Sequence, residues 1–310
     1  MKYIMYSLCI VASSLLSQFA NAQDPILPAT NLGLTNITDA FVPAPGAYFM
    51  YYTQVYDSRR LTNGSGDKIP TDLQIGSFLN VAQLVYLTKT KVAGGNLGFT
   101  TLVPIVKLSA DSPSGVAPTV NPGVMGDIIF GAAIQWMDKK FLNKTLYHRT
   151  EFSATLPLGS YDKNYEINAS SNLYTFSAYH SFTYFLTEQW SISMRNTLNY
   201  NTRIRDTEIR PGAFFTSNFS IERTVYKSLR IALVGYLLGQ IEEDSYASDH
   251  DFYEDQYGIG NTKERVLGIG PGVSYLSPTG LFVEGKVFFE TIAENRFEGL
   301  PADTARCIQA

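Results

Sequence analysis

Along most of this chain, apolar and polar residues take turns in runs of about nine to eleven residues. That is the length and period of a tilted strand crossing a bilayer. Three runs carry the pattern most clearly. In the first, Trp190, Ile192, Met194, Leu198 and Tyr200 alternate with Ser191, Ser193, Arg195, Thr197 and Asn199. In the second, Leu267, Ile269, Pro271, Val273 and Tyr275 alternate with Gly268, Gly270, Gly272 and Ser274. In the third, Leu281, Val283, Val287 and Phe289 alternate with Phe282, Glu284, Lys286, Phe288 and Glu290. Successive side chains of a strand point to opposite faces. Each run therefore presents one lipid-compatible face and one face that is mostly polar, small or charged.

Less regular runs lie near residues 47–57, 73–88, 97–110, 126–136, 145–158, 173–185, 211–221 and 229–239. The connections between runs alternate in length. The contrast is largest near the end, where the 25 residues of 240–264 are followed by the four of 277–280. Bacterial outer-membrane barrels have short periplasmic turns and long outer loops. Both chain ends of such a barrel lie in the periplasm, so the strand number is even. Eleven recognisable runs thus require a twelfth after Glu298, where residues 300–310 alternate poorly. The expected fold is all-β: a transmembrane antiparallel up-and-down β-barrel of about 12 strands, within a range of about 10–14. Closure follows from physics, because hydrocarbon offers no partner to the N–H and C=O groups of a sheet edge.

Composition agrees where it bears on this. Charged residues are 17% of the chain, against roughly 25% in ordinary soluble domains. A net charge of −4 leaves no basic footprint for nucleic acid. Lys2, the apolar stretch 4–16 and Ala20-Asn21-Ala22 read as a signal peptide over residues 1–22, cut before Gln23. Residues 23–46 then form an expected N-terminal periplasmic segment, and 47–310 the outer-membrane barrel, with a long loop at 240–264 and a degenerate C-terminal strand. Cys307 is alone in the mature chain, so no internal disulfide forms.

Alternation turns Arg149, Glu151, Arg195, Glu284, Lys286 and Glu290 toward the lumen. Their mixed signs suit either ion pairs across a closed interior or a polar, gated path. An interfacial girdle is expected from Tyr48, Tyr51, Tyr52, Trp136, Tyr147, Tyr174, Tyr184, Trp190, Tyr200 and Tyr275. His148 and His180 fall on the more apolar face, and no spacing among the three histidines offers a metal site. No catalytic motif and no cofactor site is found. The acidic stretch from Glu242 to Asp255 reads as a solvated outer loop, with divalent bridging to lipopolysaccharide as the sharper alternative.

The segments Gly268-Ile-Gly-Pro-Gly-Val-Ser-Tyr275, Leu281 to Glu290, Ala293-Glu-Asn-Arg296 and Gly299 resemble the bacterial outer-membrane family named for the meta-pathway of phenol degradation. Asn31 to Leu34, Gly46 to Tyr48, Gly126 to Ile129 and Leu156 to Tyr161 fit that family in order. Gly268, Gly270, Pro271, Tyr275, Glu290, Asn295 and Arg296 are the residues that carry the match at the C-terminal end. The resemblance implies a channel for passive uptake of small hydrophobic or aromatic compounds. Its partners are then membrane lipids, lipopolysaccharide, the solute and the barrel-insertion machinery, in the cell outer membrane. Two alternatives stand beside it: an adhesive or structural surface barrel acting through its loops, and a barrel phospholipase, which needs a nucleophile oriented by a histidine.

Overall fold

Alternating side chains and twelve ladders produce one continuous antiparallel wall. The computed structural model describes residues 27–299 and the backbone of 302–309. The signal-peptide reading of 1–22 lies outside the described residues. The wall strands are β1 (Gly46–Thr62), β2 (Gln74–Val92), β3 (Gly95–Asp111), β4 (Ile128–Phe141), β5 (Lys144–Leu156) and β6 (Thr175–Phe185). They continue as β7 (Trp190–Asn201), β8 (Phe214–Tyr226), β9 (Leu229–Gln240) and β10 (Arg265–Leu276). The eleventh strand, β11, runs as Phe282–Val287 and Phe289–Glu294, and β12 is Ala302–Gln309. Each pairs with its sequence neighbours.

The last strand closes the barrel. β12 pairs with β11 from Phe282↔Cys307 to Val287↔Ala302 and with β1 from Tyr48↔Gln309 to Val55↔Ala302. The strand expected to be degenerate forms both ladders, because backbone pairing needs no alternation of its own. Among the described residues every wall strand is thus paired on both sides over at least part of its length, as a sheet in lipid requires.

Connections sort by end. Residues 93–94, 142–143, 186–189, 227–228 and 277–281 are short turns at one rim. Residues 63–73, 112–127, 157–174, 202–213, 241–264 and 295–299 belong to loops at the other. At the β2–β3, β4–β5 and β8–β9 turns the strands outrun their sequence boundaries, which makes those turns tighter than the alternation implied. A six-residue helix, α1 (Phe252–Tyr257), lies in the longest loop. One seam is short: β3 meets β4 only from Asn96↔Gln135 to Leu102↔Ile129. Beyond it Pro104 lacks an N–H. Its carbonyl accepts from Gly126 N at 3.0 Å, and Val106 N donates to Val124 O at 2.7 Å, so loop backbone takes the place of β4.

Outward positions form an apolar band. Phe99, Phe130, Phe152, Phe176, Leu198, Ile221, Leu233, Val273 and Phe289 are all exposed. Tyr51, Tyr184, Trp190, Tyr200 and Tyr275 also face out, as the girdle required. Tyr48, Tyr52 and Tyr147 do not. Tyr48 and Tyr52 are buried inside the wall, and Tyr147 packs on Phe41 at 4.9 Å between ring centroids. Consecutive Tyr51 and Tyr52 occupy opposite faces of β1, so only one of them can reach lipid.

The expected periplasmic segment is the main correction. Residues 27–45 thread the interior of the barrel, from the long-loop rim at Leu27 to the short-turn rim at Ala44. A wall of about twelve strands is too wide for its own inward side chains to fill. The chain's own N-terminal stretch occupies that space, and only then does it enter β1.

Candidate functional site

The lumen with its internal segment is the site. Its inner wall is polar because the inward positions of β7 and β8 are Ser191, Ser193, Arg195, Thr197 and Asn199, and Thr216, Asn218, Ser220 and Glu222. These groups would be costly to bury unpaired. Arg195, Asn218, Ser220 and Glu222 find partners in residues 31–40, while Ser191, Ser193 and Asn199 bond to other wall groups.

The contacts run the length of the segment. Asn218 accepts from Gly33 N at 2.9 Å and donates to Asn31 Oδ1 at 2.9 Å. Asn36 Nδ2 donates to Gly235 O at 2.8 Å, and Asn36 O accepts from Ser220 Oγ at 2.9 Å. Thr38 N donates to Glu222 at 2.8 Å. Asp39 accepts both prongs of the Arg195 guanidinium, at 2.8 Å and 2.7 Å. Ala40 O accepts from Gln135 Nε2 at 3.0 Å. None of these bonds is part of a sheet ladder. The segment is tied to the wall by side chains.

The six inward charges of the sequence all lie on the inner face: two wall pairs, Arg195 paired to the segment, and Glu290 by itself. Arg149 and Glu151 pair along β5; Arg149 also donates to Thr100 at 2.8 Å, and Tyr179 Oη donates to Glu151 at 3.0 Å. Room for Glu151 comes from Gly131 on the neighbouring strand, diagonal to it in the ladder, where a Cβ would lie 2.5 Å from Glu151 Oε1. Arg195 pairs with Asp39 and lies 4.2 Å from the centre of the Tyr179 ring. Lys286 donates to Glu284 at 2.7 Å and to Leu34 O at 3.0 Å, so it too grips the segment. Glu290 stands apart, accepting from Tyr236 Oη at 2.8 Å, Tyr56 Oη at 3.2 Å and Gly299 N at 2.5 Å.

Sequence reading missed Asp39, Glu222, Asn36, Asn218 and Gln135. Glu222 is the clearest case. It is fully buried and accepts from Ser191, Ser193 and Ser220 at 2.8, 2.7 and 2.6 Å, with Arg230 3.7 Å away. The signal was present: Asn218, Ser220 and Glu222 alternate with Phe219, Ile221 and Arg223. The sequence boundary at residue 221 stops five residues short of the strand, which runs to Tyr226.

Toward the long-loop rim the lumen turns apolar. Leu27 and Ile37 of the segment pack with Phe214, Val234, Tyr236, Leu238, Val266 and Phe288 of the wall. Gly268 faces the Tyr236 ring, and at Gly270 a Cβ would lie 1.7 Å from Val287 O, so β11 approaches β10 backbone to backbone there. Pro271 and Tyr275 face outward. Asn295 donates to Asn261 O at 2.8 Å and Lys263 O at 3.1 Å, joining two outer loops. Arg296 lies 3.5 Å from Glu264, whose other oxygen accepts from Leu27 N at 3.0 Å.

The outer loops use much of their acid on protein partners. Glu242 pairs with Arg210 at 3.1 Å, and Glu243 accepts from Thr262 N at 2.8 Å and lies 3.3 Å from Lys263. Asp244 is buried, accepting from Gly212 N at 2.7 Å and Gln240 Nε2 at 2.5 Å. Burial pushes its carboxyl up to about 7, against those two donors and with help from the neighbouring Glu264 charge. Burial likewise raises Glu264, opposed by Arg296. On the outer wall, His148 stacks on Trp136 at 4.5 Å and His180 Nδ1 meets Thr150 Oγ1 at 2.9 Å.

A closed wall with an apolar exterior, sorted connections and a plugged polar lumen defines a bacterial outer-membrane-type β-barrel. Residues 58–304 match the family described as "Putative MetA-pathway of phenol degradation", and the chain belongs to that family. No curated protein matches it in sequence. Among solved structures it is similar to an outer membrane channel from Pseudomonas putida F1, with a TM-score of 0.73 and 11% identity over 87% of this chain and 97% of that one. It also matches the beta domain of the Bordetella autotransporter BrkA, with a TM-score of 0.47 and 9% identity over 86% of this chain and 100% of that one. At such identity the first likeness speaks to the fold.

Proposed function

We propose that the protein is a passive outer-membrane channel for small hydrophobic or aromatic compounds, closed by residues 27–45. One observation carries the reading: the lumen is occupied by a segment that is not part of its wall. Side-chain hydrogen bonds and ion pairs hold that segment, so it can shift without opening a single ladder. The apolar cluster around Phe214, Tyr236 and Phe288 is covered by Leu27 and Ile37, and an apolar solute would meet it once the segment shifts. The family's association with phenol degradation supports an aromatic solute class.

The reading assigns no catalytic step to the protein; lipid hydrolysis by purified barrel would count against it. It also has the barrel-insertion machinery place the chain, and lipopolysaccharide contact the outward face at the long-loop rim. The test is uptake. Cells lacking the protein should accumulate a small aromatic solute more slowly, and restored expression should reverse this. Reconstituted barrel should conduct ions poorly while the segment is in place. Unchanged uptake together with a permanently sealed barrel would refute the proposal.

A further inference from the structure

Two neighbouring hairpins project from the short-turn rim, β2–β3 and β4–β5. Between them they carry Lys89, Lys91, Lys139, Lys140 and Lys144, all exposed, against the single acid Asp138. The hairpins touch: Lys139 Nζ donates to Gly94 O at 3.2 Å, and Trp136 Nε1 donates to Ala93 O at 2.9 Å. The ladder sets Phe141 opposite Lys144 and Lys139 opposite Leu146, so both lysines share one face of the hairpin with these apolar side chains. At the tip, Phe141 is 56% and Leu142 77% exposed. Tyr184 fixes the tip from the next strand, donating to Phe141 O at 3.1 Å with its ring 5.9 Å from that of Phe141.

Water alone is a poor environment for this patch, because two large apolar side chains stand free beside a concentration of positive charge. A headgroup layer satisfies both: rings and Leu142 enter the acyl boundary while ammonium groups meet phosphate. The opposite rim bears the acidic loop of residues 241–264, so the barrel is polarised along its axis. We infer that this patch binds anionic phospholipid of the periplasmic leaflet, phosphatidylglycerol in kind, and anchors the β2–β5 side of the barrel in it. The inference uses the barrel's orientation and is independent of whether the lumen conducts.

The test is native mass spectrometry of the full mature barrel with equal amounts of phosphatidylglycerol and phosphatidylethanolamine. Each lysine near an anionic surface is worth roughly fivefold, and salt screens part of that. Wild type should therefore retain phosphatidylglycerol about tenfold or more over phosphatidylethanolamine. The variant K139Q/K140Q/K144Q should lose most of that preference, and K227Q, on another turn of the same rim, should keep it. These lysines are solvent-exposed, so the variant folds, which heat-modifiable gel mobility verifies. Equal retention by wild type, a preference that survives in the folded triple variant, or equal loss in K227Q would overturn the inference. So would a triple variant that keeps its lipid preference but sheds a co-purifying periplasmic protein, since the patch would then dock protein.

Discussion

Replacing Asp39 by alanine tests whether the internal segment is a movable plug. The carboxylate accepts two hydrogen bonds from Arg195, at 2.7 Å and 2.8 Å, and both side chains are largely buried. Removing one partner of such a pair strands the other charge, at a cost of about 3–5 kcal/mol. Here the lower end applies. Arg195 keeps the Tyr179 ring at 4.2 Å, and the Glu151 carboxylate lies within the same group. About 3 kcal/mol corresponds to roughly two orders of magnitude in the ratio of displaced to seated segment. The wall strands lose no ladder bond, so the barrel itself survives. Single-channel recording in planar bilayers reads the ratio as the open fraction, which should rise by roughly a hundredfold in D39A. The double variant R195A/D39A removes the stranded charge and should fall back toward wild type. A folded D39A barrel with an unchanged open fraction would show that the segment is a permanent part of the wall's packing.

Three further outcomes follow from particular contacts. Asp244 holds its proton up to about 7, above its ordinary range near 3.8; between those values the folded loop binds more protons than the unfolded chain, so its stability falls as pH rises through that window. Hydrogen exchange in residues 241–264, corrected for intrinsic rate, should show more protection near pH 5.5 than near pH 8, and Asp244→Asn should flatten the difference. Gly270→Ala places a methyl within 1.7 Å of Val287 O; the β10–β11 seam must part, and urea titration of the folded barrel should show a loss of at least about 2 kcal/mol, as for other core overpacking. Leu233→Lys puts a charge on the lipid face in mid-strand, where about 2–4 kcal/mol is lost; the same titration reads it, and an unchanged midpoint would place Leu233 outside the membrane.

The wall was legible because a strand writes its two environments into alternate letters. β7, β10 and β11 show it residue by residue: Trp190 out and Ser191 in, Val273 out and Ser274 in, Val287 out and Lys286 in. The sorting of loops and turns was legible for the same reason, since each turn falls where alternation stops. What could not be read is what alternation does not encode. Residues 27–45 have no period, because they form no ladder, and Asp39 looks like any loop aspartate until Arg195 is found 156 positions away. Tyr48, Tyr52 and Tyr147 were assigned by residue type where parity should have decided. Glu222 falls just beyond the sequence boundary at residue 221, although the strand continues to Tyr226. The C-terminal strand was doubted because its side chains alternate poorly, whereas closure asks only for its backbone.

The plug and the strand number are two aspects of one physical problem. Closing the sheet removes its edges, but twelve strands enclose more volume than inward Ser, Asn, Thr and Arg side chains occupy. An apolar filling would strand the Arg195 charge and strip Glu222 and Lys286 of their bonds to Thr38 N and Leu34 O, at several kcal/mol for the stranded charge. A water filling would satisfy them and leave an open pore. A stretch of backbone rich in Asn, Thr and Asp satisfies them too, through Asn31, Asn36, Thr38 and Asp39, while excluding bulk water from the pore. Water offers those wall groups nearly the same hydrogen bonds the segment does, so exchanging one for the other costs far less than breaking a ladder. On the proposed reading, that near-balance suits a lumen of this construction to opening and puts the control in residues 27–45 rather than in the wall.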